Sequence, residues 1–395
     1  MNKPEYKIPS MAEINKIEWN GYNLISTFSG CGGSCLGFKL AGFRTLWANE
    51  FVRAARDTYK ANHPNVFVNS FDIRGLTGER ILQEAGLKKG EVDILEGSPP
   101  CADFSMAGKR TGGLDTIEMR GWGKKKKYSD VYQQVDDLFY EFARILKELQ
   151  PKVFVAENVK GLTIGHAAQL LGSPQTDMFG GHEDTIYHTL AGCGYNVRYK
   201  VLNARNFGVP QNRERLIFIG TRLDLHIEPV YPQPLGFEYC IADALPWIKK
   251  TEPSPTLKTK GFGAGINTYI EAEESPLPVE PETNIARYAI GKEWDNIKEG
   301  GSSDKYFNLV KPFISKPSPT ITQTCGHLSA ASVVHPFEKR KFSTAELRRL
   351  SSFPDDFILT GQFQQKCERI GRAVPPRMMY YIACSIRDNI LRKVQ

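Results

Sequence analysis

Short apolar segments alternate with helical segments through the first 220 residues of the 395-residue chain. Five such segments have the length and composition of buried strands, and intervening stretches such as 81–87 and 135–149 carry apolar residues at helical spacing. Strands that alternate with helices form parallel, doubly wound sheets. The sequence therefore predicts an α/β fold with a mostly parallel sheet, whose ligands bind at the carboxyl ends of the strands. The five segments are 23–28, 43–48, 66–68, 92–95 and 153–156. Two further strands are predicted, one with alternating residues at 195–202 and one that is apolar at 216–219.

Composition narrows the class of protein. No apolar run reaches the length of a bilayer, and residues 1–20 lack the apolar core of a signal peptide, so we expect a cytoplasmic protein without a membrane span. The eight cysteines are expected to be reduced thiols, and their spacing predicts no metal site. The formal net charge of +7 is compatible with a polyanionic partner.

The strand at 92–95 runs into the segment 97–105, which reads GSPPCADFS. Proline cannot donate to a strand ladder, so Pro99 and Pro100 end the strand and hold Cys101 on a stiff turn. A lone cysteine is often only a small buried apolar residue. Its place at the carboxyl end of a strand makes Cys101 a candidate nucleophile instead.

The first strand runs into a glycine-rich turn, residues 29–38, which reads SGCGGSCLGF. Such a turn lets backbone approach a ligand closely, but Cys35 stands where the dinucleotide pattern needs its third glycine. Glu50 follows the second strand, where an acidic residue commonly binds ribose hydroxyls. Asp72 offers a weaker cofactor contact. The alternative is a tight turn beside a surface glutamate.

A polar, glycine-rich and basic segment, residues 105–130, follows Cys101. A loop of this length inside a compact domain is usually functional or disordered, and its composition suits a mobile lid over nucleic acid. Within it, residues 124–127 form a first basic cluster, and residues 339–341 form a second one. Either cluster can instead be a solvated face. The residues of the first segment that we expect to contact DNA are Ser105, Lys109, Arg110, Lys124 and Lys125.

Glu157 and Asn158 follow the strand at 153–156, so the Glu157 carboxylate is expected on the same sheet edge as Cys101. A helix-capping acid is the alternative. Arg213 and Arg215 lie two residues apart on extended chain and would converge on one anion or carboxylate, or else remain solvated on an edge strand.

Composition changes near residue 221. From there to about residue 334 the chain is rich in Pro, Gly, Ser, Thr and Lys, which predicts a smaller, irregular domain with short strands. Helical signals return at residue 343, where Ser343 is a plausible cap with Glu346 three residues later, and a C-terminal helix is predicted over 378–391. We predict a discontinuous large domain, 1–220 plus 335–395, and a small domain, 221–334.

In order along nearly the whole chain, these segments resemble the motifs of the DNA cytosine-5 methyltransferase family. The resemblance rests on FSGCGG at 28–33, PC at 100–101, ENV at 157–159, QNRER at 211–215 and GRAVP at 371–375. It implies a Rossmann-like, S-adenosylmethionine-dependent methyltransferase domain, with 221–334 as a target-recognition domain. The implied substrate is double-stranded DNA, and the implied protein is a monomer from a phage or restriction-modification setting.

The resemblance also assigns roles. Cys101 would add to cytosine carbon 6, Glu157 would hydrogen-bond or protonate ring nitrogen 3, and Arg213 and Arg215 would orient the base and the carboxylate, beside Asn158. The target base must be flipped out of the helix. The implied S-adenosylmethionine contacts are Phe28, Ser29, Gly30, Cys31, Gly32, Gly33, Glu50, Phe51, Asp72, Ile73, Pro100, Leu138, Arg372, Ala373 and Val374.

Two positions depart from the family pattern: Ala102 replaces a glutamine and Arg372 an asparagine. Arg372 can turn outward, pair with an acid or grip the cofactor's methionine carboxylate. A sharper hypothesis is that Arg372 selects carboxy-S-adenosylmethionine and the enzyme makes 5-carboxymethylcytosine.

The sequence also leaves open an RNA cytosine-5 methyltransferase, a catalytically silent DNA-binding relative and, more distantly, a nicotinamide oxidoreductase.

Overall fold

A seven-stranded sheet forms the centre of the computed structural model, which describes residues 3–99, 116–117, 126–163, 171, 185–248 and 276–394. The spatial order is β3-β2-β1-β4-β5-β7-β6. The first five strands pair in parallel, and β7 runs antiparallel to both β5 and β6. The strands are β1 (Asn23–Thr27), β2 (Arg44–Asn49), β3 (Phe67–Asn69), β4 (Ile94–Gly97), β5 (Val153–Val159), β6 (Tyr195–Asn203) and β7 (Glu214–Arg222).

Helices cover both faces of this sheet, which confirms the predicted α/β class. Short segments Thr116–Ile117 and Lys126–Lys127 form a separate antiparallel pair. No helix among the described residues has the length and apolar character that crossing a membrane requires. The α-helices are α1 (Met11–Ile14), α2 (Gly33–Leu40), α3 (Arg53–Asn62), α4 (Gly78–Ala85), α5 (Tyr128–Leu149), α6 (Ile186–Ala191), α7 (Ile241–Ala244), α8 (Ala289–Trp294), α9 (Thr344–Leu350), α10 (Phe363–Arg372) and α11 (Pro376–Asn389).

Apolar side chains on each face of the sheet form a separate core. One core packs Leu95 and Phe154 against Phe142 of α5, and the other packs Ile94 and Val155 against helices α2 and α11. Burial on both faces explains why β4 and β5 are almost continuously apolar. Polar residues within them therefore stand out, and they lie toward the carboxyl ends.

The C-terminal helix α11 packs directly on α2. A Cβ added at Gly37 would lie 2.5 Å from the carbonyl oxygen of Pro376, so only glycine permits this approach. Met378, Met379 and Ile382 of α11 are fully buried in the shared core. The end of the chain thus belongs structurally with the glycine-rich turn that opens α2.

The region after β7 is irregular. Among residues 223–248 and 276–334, strand pairing is limited to isolated bridges. Its core joins Ile241 and Ile321 to Phe342, Leu347 and Ile370, so residues on both sides of position 335 share one apolar cluster. The domain boundary at 334/335 stays a prediction. The Ser343–Glu346 capping box of α9 is present as expected.

Candidate active site

The ends of β1, β2, β4 and β5 bring several residues singled out in the sequence to one edge of the sheet. In the ladder, Thr27 pairs with Gly97, and Gly97 pairs with Ala156, so the last residues of β1 and β4 are aligned with the residue that precedes Glu157 in β5. The glycine-rich turn, the nucleophile segment and the acidic motif therefore start from adjacent positions. This is the edge at which open α/β sheets bind ligands.

Glu157 and Arg215 form a buried ion pair across neighbouring strands. Arg215 Nε lies 2.7 Å from Glu157 Oε1, and only 13% and 10% of the two side chains are exposed. Arg215 stands opposite Val159 in the antiparallel ladder, so its side chain reaches diagonally to Glu157 two residues away. Burial lowers the pKa of Arg215, and the Glu157 carboxylate opposes that effect. Glu157 therefore lies at the end of β5 rather than capping a helix.

Arg213 does not join this pair, so the expectation that both arginines converge on one carboxylate holds for Arg215 alone. Its guanidinium donates to the carbonyl oxygens of Ile321 and Gly371, each at 2.9 Å, and it is almost completely buried. Arg213 lies just before β7 begins, where strand alternation does not fix its direction. It ties the segment before β7 to two distant parts of the chain.

Asn158 is buried beside Glu157. Its Oδ1 accepts a 2.7 Å hydrogen bond from the Val159 amide, while its Nδ2 has no partner among the described residues. A buried donor without a partner costs about 1–3 kcal/mol. This donor is therefore available to a group supplied by substrate or by another part of the chain.

The turn after β1 adopts the backbone expected of a ligand-binding loop. Phe28, Gly30 and Gly32 all have positive φ, at 53°, 56° and 88°. Glu50 fixes this loop, because its carboxylate accepts hydrogen bonds from the Gly30 amide at 2.8 Å and the Val52 amide at 2.7 Å. Burial raises the pKa of Glu50, and these two bonds oppose the rise.

The remaining predicted cofactor residues differ in their exposure to solvent. Phe51 is 65% exposed beside Glu50, whereas Ile73 is buried and Leu138 is half-buried. Asp72 pairs with Arg74 at 3.1 Å. The pKa of Cys31 is raised by burial to about 11, so its thiol stays protonated and packs as a structural residue.

These features fit the nucleoside part of S-adenosylmethionine. The carboxylate of Glu50 keeps acceptor capacity for ribose hydroxyls, and the exposed ring of Phe51 offers a flat apolar surface for the base. The open left-handed backbone at Gly30 leaves nothing within 4 Å of where a Cβ would stand. The loop therefore has the shape and the chemistry to cradle a nucleoside.

The last motif packs against the start of α2. A Cβ at Gly33 would lie 2.5 Å from the carbonyl oxygen of Val374 and 3.3 Å from Ala373 Cβ. Arg372 is directed away from this contact: its Nε pairs with Glu368 at 2.9 Å, and 55% of its side chain is exposed. This is the arrangement in which Arg372 pairs with an acid, and nothing in the structure supports selection of a carboxylated cofactor.

Several predicted site residues lie outside the described residues, and their roles stay predictions. They are Pro100, Cys101, Ser105, Lys109, Arg110, Lys124 and Lys125. The second basic cluster is described, and its cations are engaged within the protein. Arg340 pairs with Glu338 at 2.7 Å and Glu346 at 2.8 Å, and Lys341 is buried, donating to Ala330 and Ser332.

Sequence reasoning missed Glu96, a buried acid inside β4. Ser26 Oγ donates to Glu96 Oε2 at 2.6 Å and lies 2.8 Å from Ser29 Oγ in the glycine-rich turn. An acidic residue within an apolar strand, shortly before a proline-braced turn, was the signal that could have found it.

Comparison with known proteins shows the family to which the chain belongs. The family model of C-5 cytosine-specific DNA methylases matches residues 22–388. The Type II methyltransferase M.NgoPII of Neisseria gonorrhoeae is 30% identical over 389 residues, covering 97% of this chain and all of that relative. The Type II methyltransferase M1.HphI of Haemophilus parahaemolyticus is 31% identical, covering 91% of this chain and 85% of the relative.

Solved structures share the fold. A prophage-encoded E. coli protein assigned as a DNA modification methyltransferase superposes with a TM-score of 0.64 at 21% identity, covering 94% of this chain and 99% of that one. The Dnmt2 methyltransferase of S. pombe gives a TM-score of 0.55 at 16% identity, covering 93% and 98%.

The sheet order and the family match together define an α/β methyltransferase of the Rossmann-like class. The chain belongs to the C-5 cytosine-specific DNA methylase family, and it is a DNA cytosine-5 methyltransferase.

Proposed function

We propose that this enzyme transfers a methyl group from S-adenosylmethionine to carbon 5 of a cytosine flipped out of double-stranded DNA, through covalent addition of Cys101 to carbon 6. The observation that carries the proposal is the buried Arg215–Glu157 ion pair at the end of β5. It puts a fixed acid one strand away from β4, which leads to Cys101.

Glu157 would recognise the pyrimidine at ring nitrogen 3, either by a hydrogen bond or by giving a proton to that nitrogen as the thiolate adds to the ring. The proton would return to Glu157 when the thiolate leaves. Arg215 holds the carboxylate in place through its 2.7 Å contact, so the acid enters the reaction already oriented. The unpartnered amide of Asn158 is a second donor at the same strand end.

The thiolate of Cys101 would supply electrons to the ring, since carbon 5 of cytosine is otherwise a poor nucleophile toward a methyl group. S-Adenosylmethionine supplies the electrophilic methyl group when bound. Glu50 would hold its ribose, and Phe51 its base. After transfer, a base would take the proton from carbon 5, the electrons of that bond would restore the double bond between carbons 5 and 6, and Cys101 would leave carbon 6 as a thiolate.

Base flipping costs a few kcal/mol, which contacts to the displaced strand must offset. The basic segment 105–130 is the candidate for those contacts, and residues 221–334 for reading a specific sequence. By similarity to Type II methyltransferases, we place the enzyme in a restriction-modification setting. Membership of a DNA methylase family favours DNA over RNA as substrate.

A duplex containing 5-fluorocytosine tests the covalent step directly. Fluorine cannot leave carbon 5 as a cation, so the enzyme should remain attached to the DNA after methyl transfer. We expect a denaturation-resistant complex with wild type and none with Cys101→Ala. Wild-type enzyme that methylates ordinary DNA but forms no such complex would overturn the covalent mechanism. An oligoribonucleotide duplex of the same sequence provides the test of RNA as substrate.

A further inference from the structure

Glu96 is a buried carboxyl group for which the proposed chemistry has no use. It lies in the interior of β4, between Ser26 of β1 and Val155 of β5 in the strand ladder, and only 2% of it is exposed. No described lysine or arginine pairs with it. A buried acid without a cation is costly and is expected to have a reason.

The surroundings of Glu96 connect it to the cofactor loop. Ser26 Oγ donates to Glu96 Oε2 at 2.6 Å, and the same hydroxyl lies 2.8 Å from Ser29 Oγ, the second residue of the turn after β1. Residues directly opposite in a parallel ladder point to the same face, so Glu96, Val155 and, two residues on, Glu157 share one face of the sheet. Glu96 is therefore linked through Ser26 to the cofactor loop, and it shares its face of the sheet with the catalytic acid.

We propose that Glu96 is a positioning residue that distinguishes the positively charged cofactor from its neutral product, because its carboxylate charge attracts the sulfonium of S-adenosylmethionine and not the thioether of S-adenosylhomocysteine. This inference rests on the proposed use of S-adenosylmethionine. The attraction acts through a water-excluded interior, where charges interact more strongly than in water. The charge would help the product to leave once the methyl group has been transferred.

Glu96 can switch its charge near neutral pH. Burial raises its pKa to about 7, the Ser26 hydroxyl opposes the rise, and the charge of Glu157 adds to it. The other titratable groups that face it are Cys35 of α2 and Tyr59 of α3, and burial keeps both protonated by raising their pKa values. Cys35 and Tyr59 therefore stay neutral beside Glu96.

Binding and ionisation are reciprocally linked: if ionised Glu96 favours the sulfonium, the bound sulfonium favours ionised Glu96. The preference for S-adenosylmethionine over S-adenosylhomocysteine should then grow with pH. For a tenfold coupling, we expect the ratio of the two affinities to rise about fivefold between pH 6 and pH 8.5.

Calorimetric titration of the full-length enzyme with each compound at the two pH values tests this. Glu96→Gln keeps the shape and an acceptor for Ser26 but removes the charge, so its ratio should not change with pH. Glu79→Gln, an exposed carboxylate on α4, is the matched control and should behave as wild type. The inference would be overturned if the affinity ratio rose with pH equally in Glu96→Gln and wild type, or if it did not rise in wild type.

Wild-type protein that binds neither compound would instead overturn the proposed cofactor, so the two failures are distinguishable. A second readout does not depend on the folding of a variant. Wild-type enzyme is labelled with carbon-13 at the glutamate carboxyl groups, and its resonances are followed against pH without ligand and with each compound. Without ligand, we expect one buried carboxyl resonance to titrate near neutral pH. The midpoint of that titration should move to lower pH with S-adenosylmethionine but not with S-adenosylhomocysteine. A resonance that both compounds shift equally would contradict the inference.

Discussion

Arg215 Nε lies 2.7 Å from Glu157 Oε1 across the antiparallel β5–β7 pair, and both side chains are almost excluded from solvent. The parallel strand β5 carries the acid, and the antiparallel strand β7 carries the cation. An acid fixed in this way needs no reorganisation when a base enters the site.

Replacing Arg215 by alanine should lower kcat/KM for DNA methylation by at least about 100-fold and the free energy of unfolding by about 3 kcal/mol, because a buried carboxylate loses its partner. Initial rates and urea denaturation measure both effects. The matched control is Arg198→Ala, which breaks an exposed pair with Glu228 and should cost at most about 1 kcal/mol. Equal effects of the two substitutions would contradict the assigned role.

Arg213→Gln should act mainly on stability, since its guanidinium bonds to the backbone carbonyls of Ile321 and Gly371 rather than to Glu157. We expect a loss of about 3 kcal/mol in the free energy of unfolding, measured in urea. A variant of unchanged stability whose kcat falls as far as that of Arg215→Ala would place Arg213 in the chemistry instead.

Gly97→Ala should destabilise the end of β4. The added Cβ would clash with Thr27 Oγ1 and lie 2.7 Å from the Phe142 ring, and overpacking a tight core costs about 1–3 kcal/mol. Gly75→Ala is the control, because nothing lies within 4 Å of its Cβ position. The thermal unfolding midpoints of the two variants measure the difference. Similar midpoints would contradict the tight packing described at the end of β4.

Arg372→Asn should leave the modified nucleoside and the cofactor preference unchanged. Arg372 is half-exposed and pairs with Glu368 on its own helix, so its loss should cost at most about 0.5 kcal/mol. Mass spectrometry of DNA treated with each variant, with both S-adenosylmethionine and carboxy-S-adenosylmethionine present, checks this. A carboxymethylated product made by wild type and lost in the variant would restore the cofactor-selection hypothesis.

The proton on Glu96 should make stability depend on pH. Its folded pKa of about 7 lies above the ordinary value of 4.5, so the folded state binds more protons than the unfolded state in that window. Stability from this group is present below pH 4.5 and is lost as the pH rises to about 7. Between pH 5 and pH 8, the free energy of unfolding of Glu96→Gln should therefore rise by about 2 kcal/mol relative to that of wild type. A constant difference would contradict this account.

Periodicity located the sheet strands and several helices, because the central strands are buried on both faces and turn signals mark many of the boundaries. The side-chain partners were harder to predict. The spacing of Arg213 and Arg215 suggested a shared target, but Arg213 lies before the strand and bonds to carbonyls from residues 108 and 158 positions away. Such long-range contacts leave no local pattern.

The second basic cluster and Glu96 show the same limit. The charges of residues 339–341 suggested a polyanion site, yet Arg340 and Lys341 are buried and bond to Glu346 and Ser332, which lie 6 and 9 residues away in the chain. Glu96 was passed over because its strand reads as apolar, and its meaning depends on Ser26 in a neighbouring strand. The sequence indicates which chemistry a side chain offers, and tertiary packing determines which partners it meets.

The central claim is that this chain methylates cytosine in DNA through Cys101. Nucleoside mass spectrometry of DNA from cells that express it, beside cells that express Cys101→Ala at equal level, tests that claim most directly. The account predicts 5-methylcytosine with wild type and none above background with the variant. Equal 5-methylcytosine in both cultures, or unmodified DNA in both, would contradict it.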